Sequence, residues 1–269
     1  MPKQTKYTGM KVLEIDIETA PHRVYAWGLF KENIYIDRVI SPGYTLCFAA
    51  KWQHERPVIF KSLHSDTKKD MLNTAWDLLN EADVVVHYNG KRFDIPTLNK
   101  EFVLNGMVPP TNYKQIDLYQ VVRSNFRFAS NKLDFVSEQL GLGTKVAHKG
   151  MELWRDCMDA LNYSKKEKVP ARLQKSWRTM KTYNIQDVKL LSSLYNVLQP
   201  WIKSHPNRAL YMDDPSTPTC PNCGGTKVVK KGVERPSKIN AYQRYKCNTC
   251  GANSRSRLPL TENVKPSIV

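Results

Sequence analysis

No stretch of this chain approaches the roughly 18 consecutive apolar residues of a membrane-spanning helix, and residues 1–10 hold no apolar run like that of a secretory signal. The expectation is a soluble, cytoplasmic protein without a membrane partner. Cysteine is scarce, six in 269 residues. Four of the six sit in two C-x-x-C pairs, and Cys47 and Cys157 stand apart as small apolar side chains. That usage argues against a disulfide framework. Acids are in short supply, 25 Asp and Glu against 41 Lys and Arg, which leaves a net charge of +16. An excess of this size favours a polyanionic partner, nucleic acid first, with a membrane surface or simple solubility as alternatives.

Where acids do occur, their placement is informative. In Leu13-Glu14-Ile15-Asp16-Ile17-Glu18-Thr19 they alternate with core-type residues. In a strand, Glu14, Asp16 and Glu18 share one face while Leu13, Ile15 and Ile17 enter the core. Taken alone, this is a sheet with one solvated face. Short β-rich runs follow at 24–30, 34–40, 44–51 and 57–63, which suggests an antiparallel meander. Helical spacing of Met71, Ala75, Leu78 and Leu79 places a helix over 67–81, and 83–87 reads as a buried strand. Asn89-Gly90 then turns the chain toward Asp94 and Pro96, which open a helix with Ile95, Leu98 and Phe102 facing inward. By itself Asp94 reads as an N-cap. A short strand at 113–116 ending in Asp117 and helices over 119–126 and 132–140 complete a mixed α/β order.

Residues 144–181 are strongly basic, with Lys145, Lys149, Lys165, Lys166, Lys168, Arg172, Lys175, Arg178 and Lys181 interleaved with Trp154, Tyr163 and Trp177. Either a solvated helical face or a groove wall tracking a phosphate backbone fits. Tyr183 and Asp187, four apart, share a face of a helix expected to open there and to close at Pro200. A structural hydrogen bond between them is the bland alternative. The proline-rich stretch 203–218 reads as a linker. Beyond it, Cys220 and Cys223 are separated by 23 residues from Cys247 and Cys250, and a glycine follows each pair. Such knuckles gather four thiolates around one structural Zn²⁺.

The ordered set Asp16-x-Glu18, Asn89-x-x-x-Phe93-Asp94 and Tyr183-x-x-x-Asp187 resembles the DEDD superfamily of 3′-to-5′ exonucleases, in the tyrosine branch found in proofreading domains of family B DNA polymerases. The resemblance covers about residues 10–201, and Thr182 stands where the histidine branch would place its histidine. It implies a ribonuclease H-like mixed sheet flanked by helices, with a small C-terminal zinc ribbon. It also implies two Mg²⁺ or Mn²⁺ ions held by Asp16, Glu18, Asp94 and Asp187, with Tyr183 orienting the attacking water. Such hard ions prefer carboxylate oxygens, and a pair about 3.5–4 Å apart activates the nucleophile and stabilises the leaving oxygen. Thr19, Asn89 and Phe93 would contact the substrate, expected to be single-stranded 3′ ends with DNA favoured over RNA.

The implied division is an exonuclease domain over 1–202, a linker over 203–218, a zinc ribbon over 219–257 and a tail over 258–269. The ribbon carries nine Lys and Arg against Glu234 alone, and it is similar to ribbons that bind nucleic acid. A replication or recombination protein is the other partner it would suit. An exonuclease domain joined to such a ribbon is similar to proteins of tailed bacteriophages, which would place it in a host cytoplasm. Competing readings are a DDE-type transposase, expected to carry Glu as its third acid, and a silent nucleic-acid-binding adaptor, expected to lack a ligand.

Overall fold

The computed structural model describes residues 9–164, 167–212, 218–237 and 240–260. Lys165, Lys166, Lys238, part of the linker and most of the tail lie outside them. The chain divides into two compact units, Lys11–Leu194 and a second from Tyr195 onward that also takes in Met10.

The first unit is built on a five-stranded mixed sheet. Its strands are β1 (Val12–Thr19), β4 (Thr45–Trp52), β5 (Ile59–Ser62), β6 (Val84–His87) and β7 (Lys114–Asp117), while β2 (Arg23–Val24) and β3 (Val39–Ser41) pair separately. The sheet order is β5-β4-β1-β6-β7, with β4 and β6 flanking β1 antiparallel and parallel respectively. Among the described residues, α1 (Lys68–Glu81) lies between β5 and β6 and α2 (Asp94–Leu104) between β6 and β7, and α3 (Leu118–Asn125), α4 (Leu133–Gln139), α5 (Met151–Ala160) and α6 (Ala171–Leu198) follow β7. Leu13, Ile15 and Ile17 pack with Phe48 against Met71, Leu72 and Leu79 of α1 and Ile95, Leu98 and Phe102 of α2. On the other side Cys47 packs with Leu153 and Cys157 of α5 and Leu173, Trp177 and Met180 of α6.

Because both faces are covered, the acidic face of β1 is only partly open to solvent, at Asp16 and Glu18. Glu14 is fully buried, 3.6 Å from the Lys51 ammonium. Burial pushes its carboxyl up, against the opposing pull of Lys51 and Ser192. The helix carrying Tyr183 starts at Ala171, twelve residues earlier than expected, because Leu173, Trp177 and Met180 already form the buried stripe that Tyr183 continues. Arg172, Lys175, Arg178 and Lys181 fall on its exposed face.

The expected strands over 24–30 and 34–40 shrink to β2 and β3. Their apolar residues find no second layer to cover them, and Trp27, Leu29 and Phe30 are at least 87% exposed. Glu32 ties this loop together by accepting from the Gly28 N–H and pairing with Arg38.

In the second unit β8 (Val228–Glu234), β9 (Tyr242–Cys247) and β10 (Asn253–Arg255) form an antiparallel sheet in the order β10-β9-β8. Gly224 and Gly251 follow the two cysteine pairs with φ of +76° and +83°, so their N–H groups donate back to the Cys220 and Cys247 carbonyls. The segment read as a linker contains a helical turn at Arg208–Tyr211, and His205 stacks on Tyr195. Buried Asn222, between the first two cysteines, donates to the Gln199 and Ile202 carbonyls, and its own carbonyl accepts from Gln199 and Arg208. Within this unit the first cysteine pair is thereby keyed to Gln199 and Ile202.

Candidate active site

The acidic cluster forms where the central strand meets α2 and α6. Asp16, Glu18 and Asp187 each present a carboxylate oxygen, and these oxygens lie within 4.8 Å of one another. Asp94 is not an N-cap: Phe93 holds that position, and Asp94 instead accepts a 3.0 Å hydrogen bond from the Ile17 N–H of β1. This bond leaves Asp94 close enough for its charge to act on Asp16 and Glu18. Burial, then repulsion from Asp94, Glu18 and Asp187, holds the Asp16 carboxyl well above the carboxylate range. Glu18 is pushed up to about 8 by burial and Asp187, and Asp94 to about 7 by burial. Asp187 is also raised by burial, although Lys145 opposes the shift.

Acids packed this tightly require positive charge, and among the described residues Lys145 supplies the ammonium that pairs with them. Lys145 Nζ lies 2.5 Å from Asp187 Oδ2 and 3.1 Å from the Tyr183 hydroxyl. Burial disfavours this ammonium, but Asp187 and Tyr183 outweigh it and hold its pKa above the usual value. The other Asp187 oxygen is buried with no hydrogen-bond partner. An orphaned carboxylate oxygen beside two further carboxylates is a donor set of the hard kind that Mg²⁺ or Mn²⁺ prefers.

Several residues here were not singled out by sequence reasoning. Besides Lys145, Asn184 donates to Asp16 Oδ2 at 2.7 Å and fixes that carboxylate from α6. Trp154 hydrogen-bonds Glu18, and its ring meets Tyr183 and His148 edge to face. Asn184 sits inside the third motif, and the others lie in the basic, aromatic-interleaved stretch, so the signal was regional.

Asp16, Asn89, Lys145 and Tyr183 line one cleft of about 780 Å³. Asn89 is held at a φ of +63° by donating its N–H to Asp117. The next residue must be glycine, because a Cβ there would come within 2.6 Å of the buried His87 ring. Thr19 and Phe93 do not line this cleft. Thr19 ends β1 beyond an irregularity in its pairing with β4, and the Phe93 ring is 45% exposed.

Residues 43–199 match the family model of the RNase_H superfamily. The chain belongs to the RNase H superfamily. The matched span contains Asp94, Tyr183 and Asp187 and begins after β1. A family B DNA polymerase from the hyperthermophilic archaeon Pyrobaculum calidifontis is similar in structure, with a TM-score of 0.52 and 19% identity over 71% of this chain. The chain spans about a quarter of that polymerase, whose 25% coverage makes this a likeness of one region's fold. No curated protein matches the chain. Membership of this superfamily supports a nuclease with a nucleic-acid substrate and divalent-metal dependence. Among the described residues, no helix is long and apolar enough to cross a membrane.

The four ribbon cysteines form a separate cluster, with Sγ atoms within 4.8 Å of one another. Cys220–Cys250 and Cys223–Cys247 are each separated by 3.7 Å, too far for disulfides. A tetrahedron with Zn–S bonds of about 2.3 Å has edges of about 3.8 Å, so the spacing fits a small zinc ribbon. Burial opposes the Cys247 thiolate, but the N–H groups of Cys250 and Thr249 draw its pKa down to about 6.

Proposed function

We propose that this protein is a metal-dependent 3′-to-5′ exonuclease of the tyrosine branch, acting on single-stranded ends with DNA favoured over RNA. The observation that carries the reading is the convergence of Asp16, Glu18 and Asp187 within 4.8 Å beneath a tyrosine and a lysine that both reach Asp187. Asp16, Glu18 and Asp187 would hold the ions, with Asp94 completing the set. When bound, two Mg²⁺ or Mn²⁺ ions supply positive charge for the entering and leaving oxygens.

The remaining chemistry belongs to the chain's own side chains. In the hydrolysis a water oxygen bonds to phosphorus and the P–O3′ bond breaks, giving a nucleoside 5′-monophosphate and a new 3′-hydroxyl. Lys145 donates to the Tyr183 oxygen and so fixes the hydroxyl that would orient the water. Asn184 and Trp154 hold the Asp16 and Glu18 carboxylates from behind, so less reorganisation is needed as charge develops. In the ribbon, Cys220, Cys223, Cys247 and Cys250 would bind one structural Zn²⁺, and its basic strands would add to the grip on nucleic acid. We assign the nuclease to 1–202 and the ribbon to 219–257, an arrangement that resembles phage-encoded exonucleases.

End-labelled single-stranded DNA and RNA, incubated with Mg²⁺ or with EDTA, test this reading. The expected result is stepwise shortening from the 3′ end that EDTA abolishes, faster on DNA. Shortening from the 5′ end, or internal cutting, would contradict it.

A further inference from the structure

The carboxylates of the acidic cluster repel phosphates, and the ammonium among them, Lys145, is committed to Asp187. Arg92 and Lys132 also line the cleft. A strand that runs on beyond this cleft needs further cations along its path.

A second cavity, of about 400 Å³, lies against the end of α3 and the chain that leads to α4. It is lined by Arg123, Arg127, Ser124, Asn125 and the Phe126 and Phe128 rings, with no carboxylate on its wall. The two rings lie 5.6 Å apart and are tilted by 42°. Arg123 and Arg127 are exposed. Neither forms an ion pair among the described residues, unlike Arg38, Arg172 and Arg255, which each pair with an acid. Asn131 belongs to the walls of both cavities. Its carbonyl accepts a 2.6 Å hydrogen bond from the hydroxyl of Tyr88, the neighbour of Asn89. The partition between the cavities is thus pinned to the turn that presents Asn89 to the acids.

We infer that this Arg123/Arg127 cavity is the track for the nucleotides 5′ to the reacting one, with the guanidinium groups on phosphates. The inference rests on the exonuclease reading and extends it to how the strand is held. A strand with its terminal nucleotide at Asp16 continues past Asn131 into the basic cavity. Cations interleaved with aromatic rings suit a single strand, whose bases are free to stack.

Binding of fluorescein-labelled oligo(dT) of two to twelve nucleotides to the full chain, read by anisotropy in divalent-free buffer over a salt series, tests the track. Replacing both residues by glutamine (Arg123→Gln with Arg127→Gln) should flatten the log-log salt slope by about 1.4, two single-strand phosphate contacts at about 0.7 each. The affinity deficit should grow with strand length. The corresponding pair of lysine substitutions should restore most of the slope, which a folding defect would not allow. Unchanged slope and affinity in a glutamine pair of wild-type Tm would overturn the track while leaving the nuclease intact. Glutamine and lysine pairs that lose affinity equally, or a deficit independent of length, would also overturn it. A wild-type chain that neither binds nor degrades single strands would remove the exonuclease reading itself.

Discussion

At the scale of single residues, the site depends on side chains that hold other side chains. Asp16→Ala or Asp187→Ala should abolish hydrolysis in a folded protein. Tyr183→Phe should act more mildly, because it removes a water-orienting hydroxyl and no carboxylate. Lys145→Ala should lower kcat by roughly two to three orders of magnitude, the effect of losing one preorganised donor. Steady-state kinetics on one oligonucleotide ranks all four. The acids also make a pH prediction. With folded pKa values of about 8 for Glu18 and about 7 for Asp94, and raised values for Asp16 and Asp187, these groups keep protons that the unfolded chain has lost. Their contribution to stability is present below the unfolded pKa of about 4 and is lost as pH rises through 7 to 8. The Tm of divalent-free protein should fall from pH 5 to pH 8, and Mn²⁺ should raise Tm more at pH 8, where fewer protons must leave. A Tm increment from Mn²⁺ that shrinks with rising pH would contradict this. Asp16, Glu18, Asp94 and Asp187 were legible in the sequence because their spacing within short motifs is local. Lys145 was not, because it meets Tyr183 across 38 residues through the tertiary fold.

At the scale of elements, the periodic segments were legible and the solvent-facing ones were not. The spacing over 67–81 predicted α1 to within a residue at its start, and the valine run at β6 is buried throughout. Alternation over 24–40 misled, since apolar alternation makes a strand only where a second layer covers it. The expected linker could not reveal its attachment, because Asn222 reaches Gln199 and Ile202 by side-chain hydrogen bonds that leave no periodic trace. Asn222→Ala removes two hydrogen bonds to carbonyls that keep only a long backbone bond each, at 3.3 Å. It should destabilise the ribbon unit by roughly 2 kcal/mol, about 1 kcal/mol for each hydrogen bond lost. Faster zinc release to a chelator, with hydrolysis of a dinucleotide retained, is the expected readout.

At the scale of the whole molecule, the proposed function divides the net charge of +16 between the region assigned to the chemistry and surfaces assigned to substrate capture. Lys230, Lys231, Arg244 and Lys246 are exposed on β8 and β9. Replacing all four by glutamine should raise KM and flatten the salt slope by up to about 3, at about 0.7 per contact, while kcat changes little. An unchanged KM and slope would assign the ribbon to a protein partner instead. The central claim, that the cluster at the end of β1 is a metal-dependent 3′-to-5′ nuclease site, is tested most directly by one comparison. A 5′-labelled single-stranded oligonucleotide is incubated with Mn²⁺ and either the wild-type chain or Asp16→Ala, with folding of both checked by Tm. The account predicts a ladder of progressively shorter labelled products with wild type and an intact oligonucleotide with the variant. Equal degradation by both proteins, or none by the wild type, would contradict it.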